Sequence, residues 1–240
     1  MLLFYVRHGD PIYNPDSLTK LGEAQAEAVK YRLCQFGLDK IYSSDSNRAY
    51  LTAKPTAELL GLEIEQLPWC NENLAYRDLS VEYEKGKAMW CYWHHETRMK
   101  LVREEVRVLG KKWYDHPYFE GTRYKRGMER VQKETDNFML NLGFRHDGDN
   151  NVYIPEKPTC KRVALFAHEG FGAAFLSCLL DIPYPEFSTH FTMTHSGLTV
   201  IEFAENHETI VPRILTLSND SHIYAERLPL KYQNQQSLRF

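Results

Sequence analysis

The sequence predicts an α/β fold: a three-layer α/β/α sandwich with a mostly parallel central sheet and a helical cap insertion at 70–145. Three observations carry it. Short apolar runs alternate with helical patterns across residues 2–61, the order that parallel strand pairing requires. The same strand-then-helix arrangement returns at 162–180. Between the two lies a long stretch rich in aromatic and charged residues, with helical periodicity. At 240 residues, 43% hydrophobic and 25% charged, the chain is most economically a single domain over 1–240 that carries the 70–145 insertion.

Residues 2–6 form a short apolar run stopped by a polar cluster and Gly9, the pattern of a strand buried on both faces. Thr19 is placed to cap a helix in which Leu21, Ala24, Ala28 and Tyr31 fall at helical spacing, with Gly37 as its stop. Residues 39–42 read as a second strand. Ser43, Ser44, Asp45 and Ser46 then offer capping oxygens to a helix ending near Gly61, whose stripe is Ala49, Ala53, Ala57 and Leu60. Residues 63–67 make a further strand that Pro68 ends.

The insertion holds Trp90, Tyr92, Trp93, Trp113, Tyr114, Tyr118, Phe119 and Tyr124. Met99, Val102, Val106, Leu109 and Trp113 describe one amphipathic helix; Met128, Val131, Thr135, Phe138 and Leu142 describe another. Aromatic side chains at this density either line a substrate pocket or, more commonly, pack a satellite core or a homodimer contact. Residues 145–161 contain the turn signal Asp147-Gly148-Asp149-Asn150-Asn151, expected as a hairpin or a loose loop. Residues 162–167 return as a buried strand, followed by a helix with Phe171, Phe175, Leu176, Leu179 and Leu180. Residues 198–203 and 210–217 are expected as an antiparallel edge pair, and 231–240 as a polar, loosely ordered tail.

Composition excludes several classes of function. A net charge of −3 gives no electrostatic footprint for nucleic acid. Five cysteines (Cys34, Cys70, Cys91, Cys160, Cys178) include no Cys-x-x-Cys pair, so no complete disulfide framework is expected and a reducing cytoplasm fits best. Met1 leads straight into the first strand without a basic leader or a long apolar run, so neither secretion nor a membrane span is expected. His94, His95, His190 and His195 show no metal-ligand spacing.

The chemistry begins at Arg7-His8-Gly9, where the first strand ends. Ligands in open α/β sheets bind beyond the carboxyl ends of the strands, and a guanidinium matches the oxygens of a phosphoryl group. Alone, His8 would read as a hydrogen-bonded strand-end histidine. Asn14, Arg48 in Ser43-Ser44-Asp45-Ser46-Asn47-Arg48-Ala49, and His168 in Leu165-Phe166-Ala167-His168-Glu169-Gly170 reverse that reading. Phosphate-ester cleavage through an enzyme nucleophile needs an uncharged nitrogen, cations on the equatorial oxygens and an acid for the leaving oxygen. His8 is the nucleophile in this scheme, Arg7 and Arg48 clamp the phosphoryl oxygens, Asn14 is a neutral donor, and His168 covers the remaining side.

These residues, with Leu18-Thr19, Leu21-Gly22, Gln25-Ala26 and Thr52-Ala53, resemble the histidine phosphatase superfamily, the phosphoglycerate mutase-like family. The likeness is close over 1–62 and recurs around 160–203. It implies a phosphohistidine intermediate on His8, with neither a metal nor a nucleotide cofactor. It also places Glu72 where the family carries its acidic proton donor, although Asn71-Glu72-Asn73-Leu74 departs from the usual run. Glu169 is the competing acid, because another branch of the superfamily has an acid after its second histidine, and Asp10 is a third. His195 or Ser196 lies where the family has its final site loop, as a contact to phosphate or substrate. The expected function is hydrolysis of a small phosphorylated metabolite. Phosphoglycerate mutase-type transfer and a non-catalytic phospho-ligand binding module are the alternatives.

Overall fold

The computed structural model describes residues 1–158, 160–204 and 207–230. Its central sheet is built from β1 (Leu2–Arg7), β2 (Lys40–Ser43), β3 (Ile64–Gln66), β4 (Arg162–Ala167), β5 (Leu198–Glu202) and β6 (Arg213–Asn219). Five longer helices matter to the site: α1 (Lys20–Cys34), α2 (Asn47–Leu60), α3 (Glu72–Leu79), α4 (Tyr124–Asn141) and α5 (Glu169–Leu180). The strand order is β6-β5-β1-β4-β2-β3. The run β1-β4-β2-β3 is parallel, and β5 is antiparallel to both β1 and β6.

Period-two alternation divides the strand side chains between two cores. Phe4, Val6, Ile41, Ala164 and Phe166 pack with Val29 and Leu33 of α1 and with Ala53 and Ala57 of α2. On the opposite face Leu3, Tyr5, Tyr42 and Leu165 meet α3, α4 and α5 through Leu79, Phe138, Phe171 and Phe175; the Tyr42 and Phe138 rings meet edge-on at 5.2 Å. These are the three layers expected from the sequence.

The central pair decides where the chemistry sits. β1 and β4 run parallel and in register, with Arg7 opposite Ala167. The His8 amide donates to the Ala167 carbonyl at 2.9 Å. His8 and His168, each one residue past its strand, therefore emerge side by side at the carboxyl edge of the sheet.

Local details depart from the sequence pattern in instructive ways. Thr19 does cap α1, its hydroxyl accepting from the Gly22 amide at 3.1 Å, and Ala28 is buried as expected, but the rest of the buried stripe is Gly22, Gln25, Ala26, Val29 and Leu33, and Tyr31 is 57% exposed. The helix is rotated because Gly22 presses on the chain after β1: a Cβ there would stand 2.2 Å from the Asp10 carbonyl oxygen. Gly22→Ala, which ordinarily favours a helix, is expected here to destabilise the protein by about 1–3 kcal/mol, read as a lowered urea midpoint at unchanged slope. At α2, Ser46 makes no side-chain cap; the Asn47 amide donates instead to Asp16 Oδ2 at 2.8 Å. The helix stops at Gly61, which adopts a left-handed conformation.

Residues 70–145 contain more than helices. After α3 comes an antiparallel hairpin, Ser80–Glu84 with Lys87–Trp90. The single helix expected over 99–113 is broken into His95–Leu101, Glu104–Arg107 and a 3-10 stretch Gly110–Asp115. Arg103 is extended and Gly110 has a φ of 56°, so Leu101, Val106 and Trp113 are buried whereas Met99 and Leu109 are exposed. α4 forms as its pattern requires, burying Met128, Val131, Thr135 and Phe138, and it lies in the helical layer against the sheet.

A hairpin, Phe144–Asp147 with Val152–Pro155, follows. The short helix Tyr184–His190 has no counterpart among the expected elements. The last two strands pair antiparallel, as expected. The polar tail at 231–240 lies outside the described residues, and among those residues no helix is long and apolar enough to cross a membrane.

Candidate active site

The loop after β1 is pulled tight. A Cβ on Gly9 would meet the Gly22 carbonyl oxygen at 2.6 Å, so only glycine lets this loop lie against α1. The Gly9 amide donates to Thr52 Oγ1 at 3.0 Å, and that hydroxyl donates to the Arg48 carbonyl at 2.7 Å. Thr52 thereby joins the His8 loop to the first turns of α2.

His8 is 3% exposed, and its Nδ1 lies 2.7 Å from the Gly9 carbonyl oxygen. A carbonyl only accepts, so Nδ1 carries the proton and Nε2 keeps its lone pair. Burial first, then His168, Arg7 and Arg48, hold the His8 pKa well below the usual imidazole range. The ring is therefore neutral at physiological pH. Its centroid is 5.2 Å from that of His168 and 5.6 Å from that of His195.

His168 is fully buried. Its Nδ1 lies 3.1 Å from Arg48 Nη2, which can only donate, so the proton sits on Nε2 and points to Ser44 Oγ at 2.9 Å and Ser46 Oγ at 3.3 Å. Burial, followed by Arg48 and Arg7, depresses this pKa as well. A phosphoryl dianion entering the site would act in the opposite direction.

Both arginines are paired and buried. Arg48 Nη1 meets Asp16 Oδ1 at 2.9 Å, and its guanidinium lies 5.5 Å from the Tyr13 ring centroid. Arg7 Nη1 meets Glu169 Oε2 at 2.8 Å, and Arg7 Nη2 donates to His195 Nε2 at 2.8 Å. Glu169 also accepts from Thr192 Oγ1 at 2.6 Å. Glu72 stands at the start of α5, accepting from the Gly170 amide at 3.1 Å and the Phe171 amide at 3.3 Å. Burial outweighs these donors and both arginines, lifting its pKa to about 7. Its Oε2 is 3.9 Å from His168 Nδ1.

Arg7, His8, Arg48, Glu72 and Glu169 line a cavity of about 480 Å³, whose walls are Tyr13, Asp16, Asn73, Tyr76, Ala88, Met89, Trp90 and Trp93. His168 and His195 are outside the lining, with their rings next to that of His8. Seven of the residues singled out in the sequence therefore converge: Arg7, His8, Arg48, Glu72, His168, Glu169 and His195.

Asn14 does not join them. It is exposed at the turn between the strands Pro11–Tyr13 and Asp16–Leu18 and is absent from the cavity lining. A residue at the tip of a two-residue turn is carried away from the sheet edge, and the flanking Tyr13 and Asp16 face the cavity in its place. Asp10 is also outside the lining. Its Oδ2 accepts from Thr19 Oγ1 at 2.8 Å and its Oδ1 is 3.5 Å from His195 Nδ1. Ser196 Oγ bonds His222 Nε2 at 2.9 Å, and Ser196 is also outside the lining. Asp16, Thr52, Ser44 and Ser46 were not singled out as site residues; the two serines were legible in the sequence as capping oxygens and, with Thr52, as part of the run that carries the resemblance.

The sequence profile described as "Histidine phosphatase superfamily (branch 1)" matches residues 3–214. The chain belongs to this superfamily. Phosphoserine phosphatase 1 of Hydrogenobacter thermophilus is 27% identical to this histidine phosphatase over 161 residues, 63% of this chain and 69% of that one. Two solved structures share its fold. A mycobacterial glucosyl-3-phosphoglycerate phosphatase in complex with VO3 has a TM-score of 0.57 at 18% identity, covering 91% of this chain and 99% of its own. Phosphoserine phosphatase from Entamoeba histolytica, in complex with 3-phosphoglyceric acid, has a TM-score of 0.57 at 19% identity, covering 92% and 98%.

Proposed function

We propose that this histidine phosphatase hydrolyses a small phosphomonoester through a phosphohistidine on His8. The observation that carries the reading is the Nδ1 contact of His8 to the Gly9 carbonyl, which leaves a neutral ring with the Nε2 lone pair available in a cavity that both guanidinium groups also line. Membership of the superfamily and the phosphatase relatives support it.

In the first step Nε2 bonds to phosphorus as the ester P–O bond breaks. Glu72 gives its proton to the departing alcohol oxygen. A carboxyl with a pKa of about 7 is matched to that task, since about half of it is protonated near neutral pH and the conjugate base is not too weak to recover the proton. In the second step water attacks phosphorus, the Glu72 carboxylate takes the water proton, and the Nε2–P bond breaks to release inorganic phosphate. The two backbone amides of α5 stabilise the carboxylate between the steps.

Arg7 and Arg48 bind the phosphoryl oxygens. Arg48 Nε is buried without a hydrogen-bond partner among the described residues, a donor left over by the protein. The dianion raises the His168 pKa, and as Arg48 Nη2 turns from Nδ1 to the phosphoryl oxygens, Nδ1 takes a proton and becomes one more donor. Residues 70–145 act as the cap that selects the alcohol, through Tyr76, Met89, Trp90 and Trp93.

Phosphate release is the test, measured on phosphoserine, 3-phosphoglycerate, glucosyl-3-phosphoglycerate and an activated aryl phosphate. Release from the aryl ester and from at least one metabolite is expected. Isomerisation of 3-phosphoglycerate with its bisphosphate primer and without phosphate release would replace this reading by mutase activity. Tight binding without turnover would replace it by a binding module.

A further inference from the structure

The base of the cavity is electrically balanced before any ligand enters. Arg48 is paired with Asp16 at 2.9 Å and Arg7 with Glu169 at 2.8 Å. A phosphoryl dianion adds two negative charges. His8 is neutral as the nucleophile and Glu72 is neutral as the acid, so neither offsets them. His195 Nδ1 lies 3.5 Å from Asp10 Oδ1, so the two together add no net positive charge to the site. His168 can contribute one positive charge. At least one uncompensated negative charge thus remains in a largely buried site, where its solvation is poor and its field strong.

Beyond the two arginines the lining contains no lysine or arginine, so the missing cation has to come with the ligand. The wall on the alcohol side suits one. Tyr76 and Trp90 pack edge-to-face at 5.2 Å, and Trp93, 41% exposed, continues that wall into the cavity. Aromatic faces attract ammonium groups, more strongly where water is excluded.

Building on the phosphomonoesterase reading above, we propose that the alcohol carries an ammonium group, recognised by the aromatic wall of Tyr76, Trp90 and Trp93. An anionic alcohol such as glycerate would add to the surplus charge and is disfavoured.

The test compares phosphocholine with 3,3-dimethylbutyl phosphate, which has the same shape with carbon in place of nitrogen. Wild type is expected to favour phosphocholine by about tenfold or more in kcat/KM, with 3-phosphoglycerate below both. Trp93→Leu is expected to move the ratio toward one. If the aryl phosphate is hydrolysed but the neutral ester is used as well as phosphocholine, the inference is overturned while the phosphatase reading stands. If no ester is hydrolysed, the phosphatase reading fails, and the same pair is compared by calorimetric binding. Tenfold tighter phosphocholine would then still support cation recognition, and equal affinity would overturn it.

Discussion

His8→Ala is expected to lower phosphate release from an aryl phosphate by at least about 10⁴-fold in kcat, the scale on which removal of an attacking group is felt. The substrate is chosen because its leaving group departs without a proton, so the measurement isolates the nucleophile from the acid. Protein quenched during turnover should carry radioactive phosphorus that survives base and is lost in acid, the behaviour of a P–N bond, and the variant should carry none. Folding is not expected to be the cause. The His8 amide and carbonyl, which bond Ala167 and Ser196, are untouched by the substitution, and the Gly9 carbonyl is left next to a space that water can enter. A melting temperature within a few degrees of wild type makes the loss chemical. A variant that retained activity within tenfold of wild type would assign the attack to water and leave His8 as a phosphate contact.

Glu72→Gln is expected to reduce kcat/KM for an alkyl phosphate by about 10²–10⁴-fold, the usual worth of a positioned acid, and to change the aryl phosphate rate far less. The pH profile gives an independent signature. The acid must be protonated to act, and its pKa is about 7, so wild-type activity on the alkyl ester should fall as pH rises through that value. In Glu72→Gln that limb should be absent. The acid side behaves in the opposite sense, because His8 must be unprotonated; its depressed pKa moves that limb below the ordinary imidazole range. If Glu169→Gln removed the alkaline limb and Glu72→Gln left it, the two carboxyl groups would exchange roles. The structure favours Glu72, since Glu169 is committed to Arg7 and Thr192.

How much of this was legible depends on how local each feature is. β1, β4 and the three-layer order follow from short apolar runs and helical stripes, and α4 from one unbroken period. The placement of Arg7, His8, Arg48 and His168 follows from where strands and helices stop. By contrast, the helix expected over 99–113 fails because short helices packed on one core keep a helical spacing even when Arg103 and Gly110 interrupt them. Tyr31 faces solvent because the close approach of Gly22 to the Asp10 carbonyl, which involves no apolar side chain, sets the rotation of α1.

 Backbone contacts of that kind leave no trace in hydrophobic periodicity. Asn14 points away because a turn tip carries its side chain outward, which residue type alone does not reveal. Ser44 and Ser46 were visible as capping oxygens and as part of the run that carries the resemblance, but not as partners of His168, since those bonds join residues 124 and 122 positions apart. The hairpin Ser80–Glu84 with Lys87–Trp90 was hidden by its polar, exposed strands.

The hydroxyl of Thr52, shared between the Gly9 amide and the Arg48 carbonyl, has a consequence for how this enzyme can diverge. It fastens the loop that carries His8 and the first turn of α2, which carries Arg48, into a single block, so one hydroxyl helps to hold the spacing of that imidazole and that guanidinium. Among the described residues, the opposite wall, around the hairpin and Trp93, shows no such fastening to that block. On the proposed reaction, exchanging that wall would change the alcohol accepted and leave the groups proposed to handle phosphorus in place.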